Sequence, residues 1–329
     1  MSLLRVNNLS VTIQSIDGPL SVVQGLDVAI EKGESWGIVG ESGCGKTITA
    51  LALMSLLPER SQVSGQIELE GTDLLSMNQR QLSRIRGNRI GMIFQEPMTA
   101  LNPVRTIGSQ LTECLKLHLD LDKSSMRERV SELMNSVGMP IERFPLNLFP
   151  HQLSGGQRQR IMTAMAIACE PQLLIADEPT TALDVTVQEQ ILQLIRHLAT
   201  SSGMALIMIS HDLGVIAQTT EHVMVMYAGR LMEMGKTREV FKRMTHPYTR
   251  GLFLAIPKPG SSLTEGRKRL YSIPGHVPDP HDLPTGCVFS TRCKFVTDRC
   301  RTSRPDREEI APGHFVWCFH PVSGKEEVS

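Results

Sequence analysis

The sequence predicts an α/β fold with a wound, mainly parallel β-sheet and a smaller unit at its C-terminal end. Two segments carry this prediction. A strand, a glycine-rich turn and a helix follow one another over residues 36–57, and a strand, a helix and a strand follow over residues 173–209. The second order is typical of a parallel βαβ unit. At 329 residues the chain also exceeds the roughly 100–200 expected of one domain, which leaves room for a smaller unit.

The elements of the first half follow from apolar runs and their breakers. Residues 36–39 predict a strand, and residues 48–57 predict a helix that Pro58 ends. Residues 90–94 predict a second strand. A helical insert follows, and one of its helices has an apolar face that is expected to pack in the core before Gly138 ends the helix. That face consists of Met126, Val130, Leu133, Met134 and Val137.

The second half continues the sheet. Residues 173–176 and 205–209 predict strands, and residues 185–198 between them predict a helix. A further strand at residues 223–226 leads into a predicted hairpin turn at residues 227–230.

A linker then divides the chain into two units. Residues 1–255 are assigned to the main domain, with a helical subdomain inserted at about residues 96–170. Residues 256–329 are assigned to a C-terminal extension that holds four of the seven cysteines. The residues that mark the linker are Pro257, Pro259 and Gly260.

Composition excludes several classes of protein. Acidic and basic residues balance at 34 each, so no global positive field draws the chain to nucleic acid or anionic lipid. The longest apolar stretches, at residues 161–169 and 205–209, fall short of the roughly 20 residues that cross a bilayer. Residues 1–9 lack the apolar core of a signal peptide, and a cytoplasmic protein is therefore expected.

A glycine-rich loop between the first predicted strand and helix fits a phosphate-binding loop. Glycines let backbone amides close around phosphates at a helix N-terminus, with a lysine on the β- and γ-phosphates and a threonine on magnesium. A simple glycine turn is the alternative, but the position between strand and helix favours the phosphate loop. The loop consists of Gly40, Glu41, Ser42, Gly43, Cys44, Gly45, Lys46 and Thr47.

Two carboxylates follow the strand at residues 173–176. Asp177 is predicted to bind magnesium, and Glu178 to orient the water that attacks the γ-phosphate. Alone, such a pair would more often be a helix N-terminal charge. Together with a phosphate loop upstream, it predicts hydrolysis of a nucleoside triphosphate.

A second glycine pair, at residues 153–157, precedes the carboxylates. A serine and two glycines at a helix start resemble the signature motif of the ABC ATPases, although a plain N-cap is the simpler interpretation of the serine alone. This resemblance implies a P-loop NTPase core of the RecA type, an antiparallel β subdomain, ATP with Mg²⁺, and a dimer in which the signature contacts the ATP of the partner. The residues that would make this contact are Ser154, Gly155, Gly156 and Gln157.

Further residues match the same family. Gln95 resembles the glutamine that senses magnesium and water, Asp184 the loop that crosses the dimer interface, and His211 the switch histidine on the γ-phosphate. With Glu178, Gln95 and His211 make up the expected catalytic set. One departure concerns adenine, because no aromatic residue precedes Ser35, and an aliphatic residue such as Ile13 or Ile16 is expected in place of the usual ring.

Residues 95–103 and 246–249 narrow the resemblance to importers of dipeptides, oligopeptides and nickel. This implies two integral-membrane permease subunits, a second related ATPase and an extracytoplasmic solute-binding protein as partners. It also implies a peripheral position on the cytoplasmic face of the inner membrane. Peptide is the expected cargo and nickel the alternative.

The cysteines of the extension follow the spacing C-x5-C-x6-C-x17-C, at Cys287, Cys293, Cys300 and Cys318. The resemblance implies a four-iron four-sulfur cluster on these thiols. The spacing alone leaves zinc or empty thiols open, although it lacks the tight pairs of typical zinc sites. The neighbouring His314 and His320 are expected to be solvated and not to act as ligands.

Two rival functions remain. A soluble ABC ATPase acting on DNA or the ribosome would use the cysteine tail on nucleic acid, but the chain has one cassette, no sustained heptads and no basic excess. The partner list therefore contains no nucleic acid. A non-catalytic regulatory ATPase would not need the intact Glu178 and His211.

Overall fold

The N-terminal part of the chain forms an antiparallel sheet. The computed structural model of the protein describes residues 2–96, 100–181, 183–256 and 271–322. The strands of this first sheet pair in the order β2-β1-β4-β5. Their bounds are Leu4–Ser15 for β1, Gly18–Ile30 for β2, Ser61–Leu69 for β4 and Thr72–Asp73 for β5.

The main sheet carries the predicted parallel strands. Its order within the described residues is β11-β12-β10-β9-β3-β8-β7-β6, parallel from β9 to β6 and antiparallel from β9 to β11. This order confirms the predicted α/β class. The strands are Ser35–Val39 (β3), Ile90–Ile93 (β6), Leu173–Asp177 (β7), Ala205–Ile209 (β8), His222–Tyr227 (β9), Arg230–Lys236 (β10), Glu308–Ala311 (β11) and His314–Val316 (β12).

Helices connect these strands, and short 3₁₀ turns lie at Leu74–Ser76 and Pro150–Gln152. The helices are Lys46–Leu53 (α1), Gln79–Ile85 (α2), Ile107–His118 (α3), Lys123–Ser136 (α4), Gly155–Ala166 (α5), Val185–Ser202 (α6), Leu213–Thr219 (α7), Thr237–Arg243 (α8), Pro247–Leu254 (α9) and Asp298–Thr302 (α10). In the part of the chain that the structure describes, none of them is long and apolar enough to cross a membrane.

The predicted helical insert lies between β6 and β7 and contains α3, α4 and α5. The apolar face of α4 is buried against the main core, as the sequence predicts. Gly138 follows this helix with a φ of +70°, a conformation that costs glycine little.

The main sheet separates two cores. Along β7, Leu174 and Ala176 pack with the helical insert, whereas Leu173 and Ile175 pack with α1 and the antiparallel sheet. All four side chains are fully buried, because a parallel strand covered on both faces has no polar side. This burial holds the carboxyl ends of the strands in fixed positions.

The C-terminal extension continues the main sheet. β12 pairs with β10 in antiparallel register and β11 pairs with β12, so both strands extend one edge. The predicted linker residues, Pro257, Pro259 and Gly260, lie outside the described residues, and the division into two domains stays a prediction. The hairpin turn between β9 and β10 is confirmed, with positive φ at Ala228 and Gly229.

Candidate nucleotide site

The phosphate loop joins β3 to α1. The Lys46 ammonium lies across this loop and donates to the carbonyl oxygens of Gly40 at 2.9 Å and Glu41 at 3.1 Å. Gly45 precedes α1 with a φ of +103°, and a Cβ there would lie 2.7 Å from the carbonyl oxygen of Val22. Only glycine therefore fits at this position.

Thr47 and Asp177 come together although they are 130 positions apart. The Thr47 hydroxyl donates to a carboxylate oxygen of Asp177 at 3.3 Å. Asp177 ends β7 and is almost fully buried, and this burial raises its pKa despite the hydrogen bond from Thr47. A hydroxyl and a carboxylate oxygen at a phosphate loop are ligand types that Mg²⁺ prefers.

The three residues of the expected catalytic set also meet. Oε2 of Glu178 lies 3.3 Å from Nε2 of Gln95 and 3.3 Å from Nδ1 of His211. The Thr181 hydroxyl donates to the same oxygen at 3.1 Å. The contact of Thr181 with Glu178 was not predicted from the sequence. Its only sequence signal is the position of Thr181 three residues after Glu178. The cluster can hold the carboxylate in one orientation.

Glu178 has an unusual backbone. Its φ is +44°, in the left-handed region that non-glycine residues rarely adopt, at a cost of about 1–3 kcal/mol. Its N–H donates to the carbonyl oxygen of Ile209 at 3.0 Å, at the end of β8.

The signature loop is built as an N-cap. The Ser154 hydroxyl accepts from the Gln157 N–H at 3.3 Å, and the Gln157 side chain accepts from the Ser154 N–H at 2.9 Å. Ser154 and Gly155 are exposed, and among the described residues no hydrogen bond joins this loop to the phosphate loop. The N-cap interpretation is therefore confirmed, and a contact with a partner's nucleotide stays a prediction.

Asp184 also caps a helix, because its carboxylate accepts from the Val187 N–H at 3.0 Å at the start of α6. The segment that resembles the interface loop is Ala182-Leu183-Asp184, and its first residue, Ala182, lies outside the described residues. Of the two aliphatic candidates for adenine, Ile16 is fully exposed at the turn between β1 and β2, and Ile13 is half-buried against the N-terminal core.

The four cysteines of the extension line one cavity, together with Phe289, Phe295 and Phe319. Burial, reinforced by the neighbouring cysteines, raises the pKa of Cys293 to about 11 and that of Cys318 to about 12. Within the described ranges, no three His, Cys, Asp or Glu side chains are arranged to hold a metal ion. The residue types fit a cluster, but the side chains as they stand do not form a metal site.

One expectation about the nearby histidines is wrong. His314 is buried, and its Nε2 lies 2.8 Å from a carboxylate oxygen of Glu233, a residue that is itself fully buried. A solvated histidine would leave that carboxylate without a partner on β12, which explains the difference. His320 is exposed as predicted, with its ring nitrogen 2.9 Å from the Thr297 hydroxyl.

A glycine-rich loop after β3, an Asp–Glu pair at the end of β7 and a histidine after β8, the strand between them, define an ATPase of the P-loop class. The narrower assignment comes from comparison with known proteins. The family model described as ABC transporter matches residues 23–181, and the model described as Oligopeptide/dipeptide transporter, C-terminal region matches residues 232–300. The chain belongs to the ABC transporter family, among its ATP-binding subunits.

Its relatives are similar over nearly their whole length. The dipeptide transport ATP-binding protein DppD of Escherichia coli is 43% identical over 98% of both chains. The oligopeptide transport ATP-binding protein OppD of Salmonella typhimurium is 46% identical over 97% of this chain and 94% of its own. Among solved structures, the dimeric post-hydrolysis ATP-binding cassette MJ0796, bound to ADP and phosphate, gives a TM-score of 0.63 at 27% identity over 71% of this chain and 99% of its own.

Proposed function

We propose that this chain hydrolyses ATP to power the import of dipeptides or oligopeptides across the cytoplasmic membrane. The observation that carries the proposal is the meeting of Gln95, Glu178 and His211 at one carboxylate oxygen, beside the Thr47–Asp177 pair. The peptide cargo is supported by relatives that match the extension as well as the ATPase core.

In the proposed mechanism, Lys46 and the amides of the phosphate loop bind the phosphates. Thr47 and Asp177 are the candidate holders of Mg²⁺, which offsets negative charge on the phosphates when bound. Glu178 accepts a proton from the attacking water, and His211 contacts the γ-phosphate while Gln95 keeps the carboxylate oriented. Little covalent chemistry falls to the protein in phosphoryl transfer, so positioning by these residues supplies most of the catalysis.

A second, related ATPase subunit is proposed to complete each site. The exposed signature loop, Ser154 to Gln157, would contact ATP held by the partner's phosphate loop, with Asp184 at the interface. Hydrolysis would then separate the two subunits. Exposure of Ser154 and Gly155 in the single chain supports this proposal, because both residues are open to a nucleotide held by a partner.

The remaining partners are two integral-membrane permease subunits and, through them, an extracytoplasmic solute-binding protein. The chain would sit as a peripheral subunit on the cytoplasmic face of the inner membrane. The helical insert of α3 to α5 and the segment after Gln95 would pass closure of the ATPase pair to the permeases. The exposed Val104 and Leu117 on this insert support a contact surface there.

The cargo is tested by the ATPase rate of the complete complex in proteoliposomes, with binding protein loaded with a dipeptide, a longer peptide or nickel. We expect peptide to stimulate hydrolysis. Stimulation by nickel alone would show that nickel, and not peptide, is the cargo. Association of the protein with ribosomes or DNA, and not with membranes, would contradict a function in import.

We also infer that the four extension cysteines bind a four-iron four-sulfur cluster. Their convergence on one apolar cavity supports it, together with the N–H of His320, which donates to the sulfur of Cys318 at 3.4 Å. Binding would require the thiols to lose their protons and turn toward each other. Iron and acid-labile sulfide in anaerobically purified protein, lost in Cys318→Ser and retained in Cys169→Ser, is the expected result. Zinc, or no metal at all, would contradict it.

A further inference from the structure

The C-terminal extension reaches the phosphate loop through one arginine. Arg292 lies in the loop between Cys287 and Cys293, 251 positions after Glu41. Its Nη1 lies 2.7 Å from Oε2 of Glu41, and its Nη2 lies 3.1 Å from Oε1. The two parallel N–H···O bonds form the forked pair that gives a guanidinium and a carboxylate one fixed mutual orientation.

The pair is built into the fold on the arginine side. The Arg292 side chain is 4% exposed. Its Nε donates to the carbonyl oxygen of Pro274 at 3.0 Å, and its Nη2 donates to that of Ile273 at 3.2 Å. Nη1 also lies 3.3 Å from the Tyr227 hydroxyl at the end of β9. The guanidinium is therefore oriented by the extension and by the main sheet before it meets Glu41.

The glutamate is held from a second direction. The Glu41 N–H donates to the Tyr248 hydroxyl at 2.9 Å, and Tyr248 is fully buried in α9. The Glu41 carbonyl oxygen accepts from the Lys46 ammonium. Glu41 thus contacts Lys46 within the phosphate loop, Tyr248 of the main body and Arg292 of the extension.

Charge explains what the arginine contributes. Glu41 places a carboxylate in a loop whose proposed ligand is a polyanionic triphosphate, and like charges repel strongly where water is partly excluded. We propose that Arg292 is a positioning residue for the nucleotide, which neutralises and holds Glu41 so that the phosphate loop accepts the triphosphate. This inference rests on the proposed placement of the phosphates at residues 40–47.

A double-mutant cycle tests the inference on the full chain. The dissociation constant of a fluorescent ATP analogue is measured for Arg292→Met in the wild-type and in the Glu41→Gln background. We expect Arg292→Met to weaken binding about tenfold in the first background and less than about twofold in the second, because no carboxylate is then left unpaired. Arg307→Met, which removes an exposed arginine that stacks on Phe315, is the matched control and should leave the constant unchanged.

A merely structural arginine gives a different result. Equal losses of affinity in both backgrounds would overturn the inference. Such a result would mean that Arg292 acts through its hydrogen bonds to Pro274 and Ile273 and not through Glu41. If Arg292→Met unfolds too readily to be measured, Arg292→Gln, which keeps a polar side chain but removes the charge, goes through the same cycle with the same two outcomes. Lys46→Ala distinguishes failure of the proposed phosphate site from failure of this inference. If Lys46→Ala binds the analogue as tightly as the wild type, the proposed phosphate site is refuted. If Lys46→Ala loses binding and the Arg292 variant loses equally in both backgrounds, only this inference is refuted.

Discussion

At the scale of single residues, one carboxylate oxygen organises the proposed catalytic centre. Oε2 of Glu178 has three partners that come from different segments, Gln95, Thr181 and His211. The side chain is largely buried, and its backbone adopts a left-handed φ. The fold maintains a strained residue at this point, which is typical of a functional site.

Glu178→Gln is expected to retain ATP binding and to lower the turnover rate by about 100-fold or more. The amide keeps the size of the side chain but cannot accept the proton of the attacking water. Steady-state hydrolysis and nucleotide binding, measured on the same preparation, check this. Glu170→Gln is the matched control, because Glu170 also has a positive φ but lies on the surface, in an ion pair with Arg129. Robust hydrolysis by Glu178→Gln would assign the base to another group.

Residue motifs were predictable where the chemistry depends on neighbours in sequence. The phosphate loop, Asp177 and Glu178 follow from short patterns beside apolar runs. The Arg292–Glu41 pair could not be predicted, because the two residues are 251 positions apart and no sequence pattern links them. The positive φ of Glu178 was also hidden, since glutamate carries no preference for that conformation.

At the scale of elements, the start of α5 packs closely against α6. A Cβ on Gly156 would lie 2.6 Å from Cγ1 of Val187, whereas a Cβ on Gly155 would lie 3.3 Å from Cδ2 of Leu183. The second glycine of the signature therefore sets the distance between two helices. This requirement is independent of any contact with nucleotide.

Gly156→Ala is expected to lower the free energy of unfolding by about 1–3 kcal/mol, because overpacking outweighs the gain in helix propensity, which is at most about 1 kcal/mol. Gly155→Ala should cost clearly less, since the flexible end of Leu183 can move. Urea denaturation measures both variants. The loss at Gly156 should shrink when Val187→Ala is also present, and an undiminished loss would show that Val187 is not the obstacle.

Helix α9 begins with a histidine cap that predicts a pH dependence. Nδ1 of His246 accepts from the Tyr248 N–H at 3.0 Å, so the ring is neutral. Burial lowers the pKa of His246 from 6.5 to about 4, against the opposing influence of the Glu233 carboxylate. Between these two values the unfolded chain binds the proton more readily than the folded chain. His246 therefore does not reduce the free energy of unfolding above pH 6.5. As the pH falls from 6.5 toward about 4, the free energy of unfolding decreases by roughly 1.4 kcal/mol per pH unit.

The matched variant is His246→Asn, which keeps an oxygen acceptor for the cap but does not titrate. Urea denaturation at pH 7.5 and pH 5 should give a smaller difference in stability for His246→Asn than for the wild type. An identical difference in the two proteins would mean that His246 does not carry the pH dependence.

Element boundaries were harder to predict than element types. The helix expected at residues 48–57 begins at Lys46 and ends at Leu53, because Gly45 caps its start and Ser55 takes a positive φ. Helix α6 continues past the predicted residue 198 to Ser202, where Gly203 caps it with a φ of +65°. Apolar periodicity locates the buried turns of a helix but not the solvated turns at its ends.

At the scale of the whole molecule, buried polar and aromatic contacts join the extension to the main sheet. The Glu233 carboxylate on β10 accepts from the backbone N–H groups of Thr245 and His246 and pairs with His314 on β12. Phe289 of the extension is 3% exposed and packs against Tyr227 and Tyr248 of the main body. Because these contacts belong to the main core, the extension is expected to unfold together with the main body.

Phe289→Ala tests this cooperativity. The cavity left in the shared core should lower the free energy of unfolding of the entire chain by about 3–5 kcal/mol. Phe295→Ala, which truncates a ring that is 38% exposed, should cost much less. Calorimetry of the full chain should give one transition that moves to lower temperature as a unit. A separate minor transition that shifts while the main one stays would show that residues 256–329 fold as an independent domain, and it would also remove the rigid path by which Arg292 reaches the phosphate loop.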